Sequence, residues 1–224
     1  MEYIIQQSSS FAKDIDMVII VVAILAGFWF LLAEFVLFYF IIKYRRKDGV
    51  KAQYVTGEEK HQKKWIHIPH NIILVCDVII LVLAIRVWYN VKQDLPKADE
   101  VVRIVGQQWA WHFTHAGKDG QLGTADDIET VDELHVKTNT TYHFLLESKD
   151  VLHSFSIPVF RLKQDAIPGR VITGWFRPTK EGVHDFQCAE MCGIGHGIMA
   201  ARVHIESPEN YEKWLATQTP NVGG

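Results

Sequence analysis

Residues 188–199, CAEMCGIGHGIM, hold two of the three cysteines of the chain together with His196 and Met199. Cys188, Cys192, His196 and Met199 are spaced by four, four and three residues, so a helix would align them on one face as a small apolar stripe. Gly193, Gly195 and Gly197 weigh against that helix. Each costs about 1 kcal/mol of helix stability relative to Ala and permits the positive φ angles that let a loop wrap an ion. The stretch is therefore expected to be a loop bearing sulfur and imidazole groups.

Around this loop the chain alternates between apolar and polar residues in short runs. These are VVRIVGQQWAWHF (101–113), LHVKTNTTYHFLLE (134–147), HSFSIPVF (153–160), VITGWFRP (171–178), GVHDFQC (182–188) and IMAARVHIE (198–206). Short strands separated by Gly, Pro, Asn and Asp indicate an antiparallel sandwich or barrel of about 110 residues. SPENYEKWLATQ (207–218) places a Ser cap before a Pro at the first helical position and predicts a short terminal helix. GKDGQLGTADDIET (117–130) is an insertion between two strand candidates. Its spaced aspartates and glycines suit either a hard cation such as calcium or a polar hairpin, and EF-hand spacing is absent.

Upstream the composition changes. Residues 17–42, MVIIVVAILAGFWFLLAEFVLFYFII, are broken only by Glu34. At ~1.5 Å per residue a helix of that length exceeds the ~30 Å hydrocarbon core of a bilayer. A second run at 68–91, IPHNIILVCDVIILVLAIRVWYNV, carries Asn71, Asp77 and Arg86 and also reads as a span. A cleaved signal peptide would be shorter, would end at a small-residue site and would not end in KYRRK. Between the spans, in a connector over 43–66, lie eight Lys or Arg against Asp48, Glu58 and Glu59. The positive-inside rule puts this connector in the cytoplasm or mitochondrial matrix and both termini on the outer face. The expected organisation is a membrane-anchored all-β protein, with a two-helix transmembrane hairpin over 1–95 and an external domain over 96–224 that folds in an oxidising compartment.

Residues 94–224 hold 12 basic and 18 acidic residues, −6 in sum, whereas residues 1–93 hold 11 and 8, or +3, matching the net −3 of the chain. An acidic external half favours a basic partner by electrostatic steering, or is ordinary surface solvation. Nothing in the sequence points to nucleic acid.

Three chemistries remain for the loop. A Cys188–Cys192 disulfide suits the compartment but leaves His196 and Met199 without a role. A zinc site would use both cysteines, His196 and one more histidine. Met199 separates zinc from copper, because a thioether is a poor zinc ligand and a suitable weak ligand for copper, and Cys, two His and Met form the type-1 copper pattern. The second histidine must come from another strand, and His153 in SKDVLHSFSIP is the leading candidate.

DVLHSFSIP, LKQDAIPGR and CAEMCGIGHGIM together resemble the CuA domain of cytochrome c oxidase subunit II, and two preceding spans match the plan of that subunit. The resemblance covers essentially the whole chain. It implies a cupredoxin, a Greek-key β-barrel, in which two copper ions are bridged by Cys188 and Cys192. His153 and His196 would each terminate one copper, with Met199 and the backbone carbonyl of Glu190 as weak ligands. A saturated shell of this kind transfers electrons and leaves no position for substrate. The Glu190 side chain resembles the carboxylate that contributes to a Mg2+ site at the boundary with subunit I; alternatively it is an acid that orients the loop.

By the same resemblance QQWAWHF places the point where electrons enter from cytochrome c at Trp109. By alternation alone, Trp109 and Trp111 would point the same way from one strand and could be core. The family usually has tyrosine where Ala110 stands, and often a glutamate where Gln62 stands, near the start of the second span; Glu59 could substitute. Asp150 and Asp165 would face a basic donor or brace the site, and Arg170 could do the latter. Intramembrane Glu34 and Asp77 are expected to pack against subunit I or line a proton path.

The reading is the electron-accepting subunit of a respiratory oxidase, in the bacterial plasma membrane or mitochondrial inner membrane, with its domain in the periplasm or intermembrane space. Heme and oxygen reduction would lie on the partner subunit. No C-x-x-C-H occurs, so the donor is a separate protein. The rivals are the CuA subunit of a membrane nitric oxide reductase and a copper-binding assembly module without redox turnover. A quinol-oxidase subunit, lacking the copper ligands, is disfavoured.

Overall fold

In the computed structural model, residues 5–52 and 54–220 are described. Two long helices come first, α1 (Ala12–Lys43) and α2 (Lys60–Trp88). Both are long and apolar enough to cross a membrane. Large hydrocarbon side chains such as Ile24, Leu31, Phe35, Val75 and Leu81 point outward from them, and α2 buries no residue. α2 starts at Lys60, eight residues before the apolar run that marked the expected span. Backbone hydrogen bonding needs only compatible residues, and KHQKKW contains no helix breaker, whereas hydropathy reports the lipid-compatible part alone. α2 passes into a π-helical turn, Tyr89–Gln93.

Ten strands follow: β1 (Glu100–Gln107), β2 (Ala110–His115), β3 (Ile128–Val131), β4 (Glu133–Lys137), β5 (Tyr142–Ser148), β6 (His153–Ile157), β7 (Leu162–Ala166), β8 (Ile172–Phe176), β9 (Gly182–Cys188) and β10 (Ala200–Glu206). They form two five-stranded sheets, ordered β3-β2-β1-β5-β8 and β4-β10-β9-β6-β7. The β1–β5 and β4–β10 pairs are parallel and the other pairs antiparallel. This is the cupredoxin-like β architecture that the resemblance implies, with two parallel pairs where the alternating runs alone indicated an antiparallel sandwich or barrel. Between the sheets lies an aromatic core in which Trp111, Phe113, Phe144, Phe155 and Phe186 are essentially inaccessible to solvent. Its rings meet edge-on, with Phe155 and Phe186 centroids 5.1 Å apart and Trp111 and Phe155 5.8 Å apart, the arrangement favoured by ring quadrupoles.

Three local expectations change. The run 101–113 is two strands of a hairpin, because Gln107 pairs with Ala110 and leaves Gln108 and Trp109 as a two-residue turn. Trp109 and Trp111 therefore do not share a strand. The end of the 117–130 insertion forms β3, paired with β2, and LKQDA forms β7, paired with β6. Both are short strands of mixed polarity whose partners lie elsewhere in the chain, so local alternation does not reveal them.

The β domain gathers more chain than residues 96–224. The compact unit that contains it takes in residues up to Ile15 and from Tyr89 onward. Ser8 N–H donates to Val159 O at 2.8 Å, Ser9 bridges Pro178, and the Trp175 indole N–H donates to Val91 O at 3.1 Å. At the other end, α3 (Pro208–Thr217) begins at the expected cap, where Ser207 Oγ accepts from Asn210 N–H at 3.2 Å. Tyr211 and Leu215 of α3 pack with Ile128 and Trp214.

Candidate metal centre

The sheet β4-β10-β9-β6-β7 assembles the site. His153 opens β6, Cys188 closes β9, and β6 and β9 are neighbours, with Phe155 opposite Cys188. Met199 stands just before β10, which pairs with β9, so both ends of the 188–199 loop are anchored on one sheet. A histidine 35 residues upstream thus arrives beside a cysteine because their strands are hydrogen-bonded. Between the cysteines and β10 the loop contains a 3-10 turn at His196–Ile198, and it is not an α-helix.

Six candidate donor atoms converge there. Cys188 Sγ and Cys192 Sγ are 3.8 Å apart, nearly twice the ~2.05 Å of a disulfide bond. His153 Nδ1 lies 3.9 Å and Glu190 O 3.2 Å from Cys188 Sγ; His196 Nδ1 lies 3.6 Å and Met199 Sδ 3.7 Å from Cys192 Sγ. His153, Cys188, Cys192 and Met199 are buried. Each sulfur is therefore flanked by one imidazole and one weaker donor, a pattern with room for two soft or borderline cations along a shared sulfur edge. Desolvation, with Cys188 adding to it, pushes the Cys192 thiol up to about 11. The thiolate is unfavourable there unless a cation accompanies it.

Asp150 braces the site. Its Oδ1 lies 2.8 Å from His153 Nε2, and a carboxylate can only accept, so Nε2 carries the proton and Nδ1 turns its lone pair toward Cys188. Burial opposes ionisation of Asp150. The Gln108 N–H, His153 and the Val151 N–H outweigh burial and hold the carboxyl below its ordinary range. Gly106 of β1 was not singled out by the sequence, yet a Cβ there would lie 3.0 Å from His153 Cδ2, so the glycine makes room for the imidazole. Gln108 was also missed: its backbone N–H donates to Asp150 at 2.7 Å, and its side-chain amide donates to Cys192 O at 2.8 Å. Only the spatial proximity of strand ends distinguishes these two residues from other Gly and Gln.

Trp109 lies over the loop. Its indole N–H donates to Cys192 O at 3.1 Å, and the residue is 39% exposed, whereas Trp111 is wholly buried beneath His153. This changes the reason for the glycines. Gly193 has a positive φ of 116°. Gly195 does not, but a Cβ on it would collide with the Trp109 ring, and Gly197 has open space at its Cβ. Ile194, Ile198 and Met191 stand almost fully in solvent around the same loop.

Other sequence candidates lie apart from the cluster. Asp165 is on β7 opposite Ser154, near Lys92, and Arg170 is exposed in a turn. Gln62 accepts from Gly57 N–H at 2.8 Å, and Glu59 pairs with His61 at 3.0 Å. In the 117–130 insertion, Asp119, Asp126 and Asp127 accept hydrogen bonds from amides or a hydroxyl of the same loop. They do not gather around one point as a three-ligand group among the described residues.

Comparison with known proteins matches residues 100–206 to the family described as cytochrome C oxidase subunit II, periplasmic domain. The alternative cytochrome c oxidase subunit 2 of Bradyrhizobium diazoefficiens is 32% identical over 89% of this chain and 78% of its own. The cytochrome c oxidase subunit 2 of Cereibacter sphaeroides is 29% identical over 77% of this chain and 65% of its own. Other relatives are spanned over about half their length, 51% for one from Rickettsia prowazekii. Among solved structures, the periplasmic domain of subunit II of cytochrome oxidase from Bradyrhizobium japonicum is similar, with a TM-score of 0.50 and 27% identity over 55% of this chain and 96% of that one.

Proposed function

The chain belongs to the cytochrome c oxidase subunit 2 family, and from that premise we propose that it is the electron-accepting subunit of a respiratory heme-copper oxidase, taking electrons from cytochrome c at a dinuclear CuA centre. The observation that carries this reading is the convergence of two thiols, two imidazoles, a thioether and the Glu190 carbonyl, with no two of the neighbouring donors more than 3.9 Å apart. Cys188 and Cys192 would supply the thiolates, His153 and His196 the imidazoles, and Met199 and the Glu190 carbonyl the weaker donors that hold the copper. Copper held by these residues would supply a one-electron couple.

What the chain itself does follows from its residues. Asp150 fixes the tautomer and orientation of His153, and Phe155, Trp111 and the loop exclude water from that side. Trp109 is a partly exposed aromatic ring joined through its N–H to the Cys192 carbonyl, so electrons enter there. Asp150 and Gln108 hydrogen-bond to a ligand or to the ligand loop, an arrangement that suits electron transfer. The outward hydrocarbon of α1 and α2 is the membrane anchor, and the external domain is the β unit of 96–224 together with the segments before Asp16 and after Trp88 that pack on it. Heme and oxygen reduction belong to subunit I, and the Glu190 carboxylate is this chain's share of a Mg2+ site against it.

Copper loading of the purified chain tests the reading. The expected EPR spectrum shows one unpaired electron shared equally by two copper nuclei, and Cys188→Ser collapses it to a mononuclear signal. A single-copper spectrum from the unaltered chain, or tight zinc binding with no copper signal, overturns it. Assay of the intact membrane complex with O2 and with NO separates an oxidase from a nitric oxide reductase.

A further inference from the structure

The connector between the two long helices carries charge that electron transfer does not use. Across 43–66, eight Lys or Arg stand against three acidic residues, a surplus of five positive charges. Their placement is narrower than the span of the connector. Lys43, Arg45, Arg46 and Lys47 fall within five residues of the end of the first apolar run, and Lys63 and Lys64 within five of the start of the second. α2 is helical from Lys60, so Lys63 and Lys64 precede Ile68 by roughly 6–8 Å along the helix axis, at ~1.5 Å per residue. With ~30 Å of hydrocarbon in ~40–45 Å of bilayer, each headgroup layer is about 5–8 Å thick. A bilayer spanned by the apolar run therefore has its phosphates at the level of these lysines.

Aromatic residues mark the same level. Trp65 follows Lys64 and is 83% exposed, with no protein surface covering its ring. At the end of α1, Lys43 Nζ donates to Tyr39 Oη at 2.7 Å and lies 5.0 and 5.4 Å from the ring centroids of Tyr39 and Tyr44. Exposed Trp and Tyr between hydrocarbon and charge suit the membrane interface, where one end of the ring is apolar and the other wet. Among the described residues, Arg45, Arg46, Lys47, Lys51, Lys63 and Lys64 enter no ion pair. Of the three connector carboxylates, Glu59 is engaged by His61 at 3.0 Å.

We propose that the two basic clusters flanking the connector are a binding surface for the phosphates of anionic phospholipids. The proposal rests on α1 and α2 being the membrane anchor. Orientation by the positive-inside rule needs basic residues in the connector but does not need them at phosphate depth, unpaired and beside interfacial aromatics. Arg45 and Arg46 can each engage two phosphate oxygens through forked N–H donors, and Lys63 and Lys64 act as point charges. A zwitterionic headgroup brings its own cation to the same phosphate and offers these side chains less. An anionic headgroup offers an uncompensated charge.

The test uses the full-length chain before copper loading, reconstituted into phosphatidylcholine vesicles with a trace of spin-labelled phosphatidylglycerol or spin-labelled phosphatidylcholine. EPR separates lipid immobilised by the protein from free lipid and gives the relative association of each headgroup. At low salt phosphatidylglycerol is expected to be held about fivefold more strongly, the advantage of one basic side chain per headgroup. At about 1 M NaCl, where the screening length is about 3 Å, the preference falls below about twofold. Arg45→Gln, Arg46→Gln and Lys47→Gln together reduce it, as does Lys63→Gln with Lys64→Gln, and all five changes abolish it. Lys13→Gln with Lys97→Gln, beyond the opposite helix ends, leaves it intact. Every one of these side chains is exposed, so folding is not at stake. Equal association of the two lipids, or a preference that survives the five changes, overturns the proposal. Alkaline washing of the same vesicles tests the anchor by itself. Chain retained without headgroup preference overturns the phosphate surface alone, whereas chain washed free overturns the anchor and the surface together.

Discussion

Replacing Gly195 with alanine tests how the Trp109 ring is held against the metal loop. A Cβ on Gly195 would lie 2.5 Å from Trp109 Cγ and 2.8 Å from Cε3, with Cδ2 as close. Carbon atoms in contact sit about 3.5 Å apart or more, so the ring must retreat by about 1 Å. The indole N–H is 3.1 Å from Cys192 O, and a retreat of that size breaks the hydrogen bond. Gly195 has φ −84° and ψ 9°, which alanine adopts, so backbone strain does not contribute. Cys192 O keeps its bond from the Gln108 amide and is not orphaned. The loss is then about 1 kcal/mol for the hydrogen bond plus about 1–2 kcal/mol for overpacking. Gly197→Ala, with nothing within 4 Å of its new Cβ, is the matched control and costs less than about 0.5 kcal/mol. Denaturant unfolding of the copper-loaded chain gives both values, and stopped-flow reduction by cytochrome c reports Trp109. Slower reduction is expected for Gly195→Ala alone; identical stability and rate in the two variants would refute the packing argument.

Three more outcomes follow from the same geometry. Asp150→Asn leaves the size of the side chain but removes the charge that holds the Nε2 proton of His153, so copper affinity should fall about 10- to 100-fold in chelator competition, and an unchanged affinity would remove Asp150 from the site. Because the Cys192 thiol is held up to about 11, copper loading at neutral pH must displace its proton; apparent affinity should rise with pH, with proton release measurable in weak buffer, and a flat profile from pH 6 to 9 contradicts it. His115 is buried, and desolvation, with His135 adding to it, lowers its pKa from 6.5 to about 3. The unfolded chain therefore binds the extra proton first as pH falls, so stability is full above about 6.5 and is lost progressively toward 3, by roughly 3 kcal/mol at pH 4.5. Urea midpoints at pH 7 and 4.5 measure this, and His115→Gln should flatten the difference.

Much of the molecule is legible in local pattern. Two hydrocarbon runs longer than a bilayer core determine the helices, since length and composition alone decide whether a segment suits lipid. The loop 188–199 carries its donor atoms in order, and the positive φ of Gly193 interrupts any regular helix there. The Ser207-Pro208 pair determines the start of α3, because capping is a contact between residues three apart.

Tertiary structure decided what depends on residues far apart in the chain. Hydrogen bonding of β6 to β9 puts His153 beside Cys188, and the folding back of β1 onto β2 turns Trp109 out over the loop while Trp111 is buried. Asp150 could have faced a partner or braced a ligand, and only the position of His153 Nε2 selects the brace. Gly195 looked like a source of backbone freedom and is instead a gap for an indole ring that arrives from 86 residues upstream. His135 and His204 lie on alternating strands far apart in the chain, and their rings stack only because β4 and β10 pair in parallel. A periodic pattern records which way a side chain points from its own strand, but register between strands is set by the summed packing of both sheets, and that sum is not contained in any one stretch.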